Sequence, residues 1–430
     1  MGRSNQKTTT KALRSDPDET AVLLEGMPLG QAVFAQDMDT VASFIRDTIL
    51  TKGASFQEVS MEKTLGEAFT GGRSTPVYYV QGQVHRPGND VIKHRSFCVK
   101  LVILPGDDQD ALVHHKRESY AVERRFYDCA ASKIRSANLT IPKLLASDRD
   151  GSRSWPSMCF LMNDLRTQFP RHPDFLSRLD VQRALKWLAH FHACFWGDHG
   201  PTASWRKQLW EHGGFSTKDK RMTNVASNWV ATVRWLQSKH PESVTEHTRG
   251  LGQRIQAASG PIANFLSQQA RGPRSTLIHG DFKAANLFFS EGDDDVGESS
   301  AESVAAVDFQ YSGAGVGPED VAYLLFPDAR GHFFDHEIEV LKIYHEELIE
   351  QLILQAKGGP SSMPWDSFLS YYQLARINLI RYWIGRGWVA STEGDAILVT
   401  KVQDTMLLLD GGCILRDEEA YAQALVGLSL

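Results

Sequence analysis

Apolar residues alternate with polar ones along parts of the first third of this chain, and recur at spacings of three and four along most of the rest. The stretches TPVYYVQGQV and SFCVKLVIL are rich in β-branched and aromatic residues. A polar turn containing Arg86, Pro87, Gly88 and Asn89 separates them, so the pattern predicts two neighbouring strands. Ahead of them, Asp37-Met38-Asp39-Thr40 leads into VASFIRDTIL, a helical pattern over about 37–52. Behind them, HHKRESYAVERRFYDCAASKI reads as one prominent helix, and IPKLLASD and SMCFLMNDL as two short strands. From about residue 165 the stretches VQRALKWLAHFHACFW, TNVASNWVATVRWLQ, FDHEIEVLKIYHEELIEQLIL and SYYQLARINLIRYWIG each carry the spacing of a helix with one buried face. Two short apolar strands, TLIHGDF and VAAVDFQY, interrupt them, with NLFFS between. The acidic, Ser-rich stretch 291–303 reads as a solvated hairpin tip.

These elements predict an α+β fold. A loose polar tail is expected over 1–21, a strand-rich N-lobe with one prominent helix over 22–163, and a helical C-lobe over 164–430. At 430 residues with 42% hydrophobic content the chain exceeds one hydrophobic core, which agrees with two lobes. The 46 basic and 52 acidic residues leave a net charge of -6, which argues against a general nucleic-acid binder. No apolar run reaches the roughly 18 residues that span a bilayer, and the N-terminus has no apolar signal core. The five cysteines are scattered without CxxC spacing, which argues against a disulfide framework or a zinc site. The expectation is therefore a cytoplasmic protein with no membrane or nucleic-acid partner and no obligatory protein partner.

The chemistry concentrates in His279-Gly280-Asp281-Phe282-Lys283-Ala284-Ala285-Asn286, followed after one more strand by Asp308-Phe309-Gln310. Phosphoryl transfer needs such a set. One Asp orients the acceptor hydroxyl and accepts its proton, while an Asn and a second Asp hold Mg2+ against the β- and γ-phosphates. Asp281 is the candidate base, and Asn286 and Asp308 are the candidate metal ligands. Lys100 stands inside the apolar strand FCVKLVIL, where an unpaired ammonium is costly. Glu123 on the next helix is the favoured ion-pair partner, with Glu118 as runner-up. His190 and His192 fall on an apolar helix and are expected to be packed and hydrogen-bonded. Six of the ten tryptophans lie between Trp187 and Trp235, mainly as core.

With these residues in place, the chain resembles the protein-kinase-like superfamily of small-molecule kinases, which includes aminoglycoside phosphotransferases and choline kinases. The ecdysteroid-kinase-like (CHK kinase-like) branch looks nearest. The resemblance runs over about 55–390 and rests on the HGD…N…DFQ set, Glu123–Tyr127, Leu188–Ala193 before a Trp, DFQ in place of DFG, and Gly317–Tyr323. It implies a bilobal protein-kinase-like fold. It also implies that Lys100 contacts the α- and β-phosphates, that Gly71 and Gly72 form a phosphate-covering turn, and that adenine meets the hinge-like segment containing Met162 and Asp164. Asp320 matches a residue that braces the catalytic loop. Lys283 departs from the branch, which usually has an aromatic there. It resembles instead the lysine of protein-kinase catalytic loops that steadies the transferring phosphoryl group. Asn163 stands where the family often has Glu.

The function expected is that of an ATP- and Mg2+-dependent kinase of a small-molecule hydroxyl. A protein kinase is disfavoured by HGD for HRD, DFQ for DFG and the lack of an APE-type segment. A regulatory nucleotide-binding module is disfavoured because Lys100, Asp281, Asn286 and Asp308 are all present. The helix containing Arg376 and Trp383, two turns apart on one face, is a candidate wall for the acceptor, with a helix packed on the core and Arg376 exposed as the alternative.

Overall fold

The β-branched and aromatic stretches of the first third build one antiparallel sheet. The computed structural model describes residues 6–9, 55–64, 77–86, 89–103, 111–147, 157–198, 203–214, 224–291, 301–328 and 336–429. Strands β1 (Gln6–Thr9), β2 (Ser55–Thr64), β3 (Val77–Arg86), β4 (Asn89–Ile103), β5 (Leu144–Ser147) and β6 (Ser157–Asn163) pair in the order β1-β2-β3-β4-β6-β5. Alternation along β3 and β4 sends Tyr78, Val80, Val99 and Leu101 into the core. On the opposite face the register aligns Val77 with Lys100 and Tyr79 with Cys98. The strand Gln6–Thr9 lies in the stretch expected to be a loose tail. It is wholly polar, and backbone pairing with β2 needs no apolar pattern, so hydrophobic periodicity cannot see it. The expected helix at 37–52 and the phosphate-covering turn Gly71-Gly72 lie outside the described residues.

The chain divides into two compact units, Met1–Tyr120 with Pro142–Thr167, and Ala121–Ile141 with Gln168–Leu430. The long helix α1 (Ala111–Cys129) therefore sends its C-terminal part, and α2 (Ala131–Ser136) with it, into the helical unit. Packing explains this. Phe126 stacks flat on Phe309 with ring centroids 3.9 Å apart, and Thr140 bridges to Ala305.

In the helical unit, α3 (Arg178–Phe195) starts at Ser177, whose hydroxyl accepts the amide of Asp180 while the Asp180 side chain takes the Ser177 amide. Its apolar stripe, Leu185, Leu188, Phe191 and Phe195, is fully buried. Helices α4 (Val225–Lys239) and α5 (Glu246–Gln269) pack closely because Gly252 leaves room for Trp229; a Cβ there would strike the indole. Four short strands follow in two pairs: β7 (Thr276–Ile278) with β10 (Gly313–Gly315), and β8 (Leu287–Phe289) with β9 (Val304–Ala306). The remaining helices are α6 (Pro318–Asp328), α7 (Glu337–Leu354), α8 (Trp365–Gly385), α9 (Glu393–Asp410) and α10 (Glu418–Ser429). Among the described residues no helix is long and apolar enough to cross a membrane.

A buried hub joins three of these helices. The Glu337 carboxylate at the start of α7 takes Arg376 of α8 at 2.6 Å and Lys401 of α9 at 3.0 Å, and accepts the Tyr372 hydroxyl at 2.8 Å. This corrects the expectation for Arg376 as a clasp for an acceptor. Its side chain is 5% exposed and committed to Glu337, so Arg376 is neither offered to an acceptor nor exposed to solvent as the alternative expects.

Candidate active site

The loop His279–Asn286 connects β7 to β8, and each of its ends is fixed by strand pairing. It turns sharply at Gly280, whose φ of +83° suits glycine. A Cβ at that position would also collide with the Tyr311 carbonyl oxygen and the Gly214 backbone nitrogen. Asp320, at the start of α6 and 1% exposed, accepts the amides of His279 at 2.6 Å and Gly280 at 2.8 Å. One buried carboxylate therefore holds both residues that precede Asp281.

The His279 ring completes the brace. Its Nε2–H donates to the Val307 carbonyl at 3.0 Å, and its Nδ1 accepts the Asp281 amide at 3.3 Å. Acceptance at Nδ1 requires a neutral imidazole. Burial pushes the imidazole below its ordinary value, against the opposing pull of Asp320, Asp281 and Asp308, which agrees with that assignment.

The Asp281 carboxylate is buried among donors. Lys283 Nζ lies 3.1 Å from Oδ1 and 3.0 Å from Oδ2, and Asn286 Nδ2 lies 3.2 Å from Oδ2 and 2.8 Å from the Asp281 carbonyl. Tyr323 stands close enough to feel the charge of the same carboxylate. Its phenol is raised well above its ordinary value, first by burial and then by the Asp281 charge. Because the amide nitrogen of Asn286 faces Asp281, its carbonyl oxygen is the atom left to meet a cation.

The β8–β9 register brings Asp308 alongside. Leu287 pairs with Ala306, and the Val307 amide donates to the Asn286 carbonyl at 3.0 Å, which sets Asp308 one residue beyond Asn286's partner. Asp308 is half-buried with φ +70°, a left-handed conformation that Asp tolerates better than most residues. Its Oδ2 accepts the Gln310 amide at 3.2 Å. Two hard oxygen donors at one hairpin end fit Mg2+, which takes one or two protein oxygens and fills its shell from phosphate and water. Among the described residues no group of three His, Cys, Asp or Glu side chains forms a metal cage of its own.

The other residues singled out by sequence lie as follows. Lys100 is 7% exposed on β4, with its ammonium 5.3 Å from the Tyr120 ring centroid. Glu123 is 1% exposed on α1. Met162 lies on β6, between β4 and the edge strand β5, in register with Cys98 on one side and Leu144 on the other. The Asp164 carboxylate is occupied within its own unit by Ser96 Oγ at 2.6 Å and Arg166 at 2.9 Å, while the Arg166 guanidinium lies 3.3 Å over the Tyr79 ring. Those bonds outweigh burial and hold the Asp164 carboxyl below its ordinary value. Tyr323 was missed as a site residue. The available signal was its position three residues after Asp320 on one helix face.

The family model of the ecdysteroid kinase-like family matches residues 74–356. Among solved structures, a microcompartment-associated aminopropanol kinase is similar at 14% identity, TM-score 0.42, covering 83% of this chain and 91% of that one. Amicoumacin kinase hAmiN is similar at 10% identity, TM-score 0.39, covering 81% and 90%. The choline kinase LicA from Streptococcus pneumoniae is similar at 11% identity, TM-score 0.35, covering 81% and 98%. No curated protein matches the chain.

Proposed function

The chain belongs to the ecdysteroid kinase-like family, and from that premise we propose that it transfers the γ-phosphate of ATP, with Mg2+, to a hydroxyl of a small molecule in the cytoplasm. The observation that carries this reading is the single braced loop in which Asp281, Lys283 and Asn286 share hydrogen bonds while Asp308 stands at the adjoining hairpin end.

In this reading Asp281 accepts a hydrogen bond from the acceptor hydroxyl and directs its oxygen at the γ-phosphorus. As the new P–O bond forms and the bond to the bridging oxygen of ADP breaks, the hydroxyl proton passes to the Asp281 carboxylate. Lys283, already within 3.1 Å of that carboxylate, supplies positive charge beside the transferring group. The side-chain Oδ1 of Asn286 and the Asp308 carboxylate would hold Mg2+, which when bound would neutralise charge on the β- and γ-phosphates. Within the strand-rich unit, Lys100 serves the α- and β-phosphates. The backbone near Met162 and Asp164 takes adenine.

The test is Mg-ATP-dependent phosphate transfer to a panel of alcohols, run on the wild type and on Asp281→Asn. The variant should bind ATP nearly as well and turn over at least about a hundredfold more slowly. Near-normal turnover in the variant would remove Asp281 from the chemistry. ATP affinity with no turnover in the wild type on any acceptor would favour the regulatory module.

A further inference from the structure

We propose that Tyr344 of α7, through His192 of α3, is a positioning residue for the loop that carries Asp281; the inference rests on the phosphotransfer reading above. The Tyr344 hydroxyl lies 2.7 Å from His192 Nδ1, and His192 Nε2 lies 3.2 Å from Asp320 Oδ2, with all three side chains buried. The same Asp320 carboxylate holds the His279 and Gly280 amides. The line therefore runs from α7 to α3, from α3 to α6, and from α6 into the loop.

Counting protons along the line fixes its direction. The Asp320 carboxylate only accepts, so His192 must present Nε2–H to it, and in the neutral ring Nδ1 is then a lone pair that needs a donor. The Tyr344 O–H is that donor. Burial first, and the Asp320 charge second, push this phenol well above its ordinary value, so it keeps its proton. With the opposite tautomer the Nε2 lone pair would face the Asp320 oxygen, and the carboxylate would be repelled from the side opposite the loop. Tyr344 thus selects the imidazole tautomer that lets Asp320 stay where the loop needs it.

The surroundings pack closely on the pair. Gly317, three residues before Asp320, abuts both groups; a Cβ there would strike the Tyr344 hydroxyl and His192 Nδ1. The Tyr344 ring packs on Phe368 with centroids 5.5 Å apart and edge-on to His192 at 5.8 Å, contacts that a phenylalanine would keep. Tyr344→Phe therefore deletes one donor and preserves the packing.

The experiment compares wild type and Tyr344→Phe by three readouts on the full chain. Nitrogen-15 NMR of histidine-labelled protein should show His192 as the Nε2–H tautomer in the wild type and a mixture in the variant. Amide hydrogen exchange over Leu277–Phe282 should quicken about tenfold in the variant, the scale of one lost buried hydrogen bond, with the peptides of α4 and α5 unchanged. On any acceptor the wild type uses, kcat should fall about tenfold while the KM for ATP stays within about twofold. An Nδ1–H tautomer in the wild type, or loop exchange unchanged in the variant, would overturn the proposal. The NMR and exchange readouts need no turnover, so failure of the phosphotransfer reading is seen separately, as a wild type that exchanges as expected and transfers nothing.

Discussion

Replacing Asp320 by Asn removes a charge and one acceptor and changes almost nothing in shape, so the loop's dependence on that carboxylate can be calculated. In the wild type Oδ2 accepts His279 N–H at 2.6 Å and Oδ1 accepts Gly280 N–H at 2.8 Å, both away from water. An asparagine can satisfy one of these amides with its oxygen, now as a neutral acceptor. Its NH2 group would confront the other amide, donor against donor. Leaving one buried amide unsatisfied costs about 1–3 kcal/mol, and weakening the second from charge-assisted to neutral costs about 1 kcal/mol more. A central figure of about 3 kcal/mol corresponds to a factor of roughly 150. The protein can absorb that loss in two ways. If the loop keeps its shape, the loss appears as lower global stability. If the loop relaxes, Asp281 loses its aim and kcat falls by about two orders of magnitude, with a small change in the KM for ATP. Denaturant unfolding and an ADP-release assay on the same preparation measure both. A variant within threefold of wild-type kcat and within about 0.5 kcal/mol in stability would refute the claim that Asp320 holds the loop.

Metal dependence should separate the two candidate ligands. Asp308→Ala should abolish Mg-dependent turnover at any Mg2+ concentration, whereas raising Mg2+ should partly restore Asn286→Ala; equal metal dependence in both variants and wild type would place the metal elsewhere. The hub at Glu337 should give an acid limb to stability. Burial alone would raise this carboxyl, but Arg376, Lys401 and Tyr372 together hold it below its ordinary 4.5. Its contribution is therefore full above that value and lost as pH falls through the lower folded value. Thermal unfolding from pH 7 down to about 3 should show this decline, shallower in Glu337→Gln, and an unchanged slope would assign the acid loss to other groups.

What the sequence discloses here depends on how local the cause is. TLIHGDF, NLFFS and VAAVDFQY are legible as strands around a loop because each is a short apolar run beside its own turn residues. The short loop from β7 to β8 keeps Asp281 near Asn286, whereas Asp308 joins them through the pairing of β8 with β9 across the longer stretch 290–303. The alternation in SFCVKLVIL likewise places Lys100 on a strand. Helix α5 is harder to read. Gly250, Gly252, Gly260 and Pro261 punctuate it, and each lowers the expectation of a helix, although Gly252 is there to admit Trp229.

Which face of a helix is functional is a different kind of question, because the answer lies on another element. Periodicity sets Arg376 and Trp383 on one side of α8. Glu337, 39 residues away in sequence, together with the Lys401 carbonyl and the Thr405 hydroxyl, decides that Arg376 turns inward. The same distance effect hides Tyr344, which stands 152 residues from His192, and nothing in the pattern of α7 marks it among its buried neighbours. An apolar helical stripe reports only that a residue is inside. A tyrosine or histidine within the stripe carries a polar atom that must still find a partner once buried, and that requirement is where packing becomes chemistry. His192 and Tyr344 satisfy one another and pass the constraint to Asp320. The group that finally receives it is the loop amide next to Asp281, so the residues that aim the candidate base are spread over three helices that share no sequence motif.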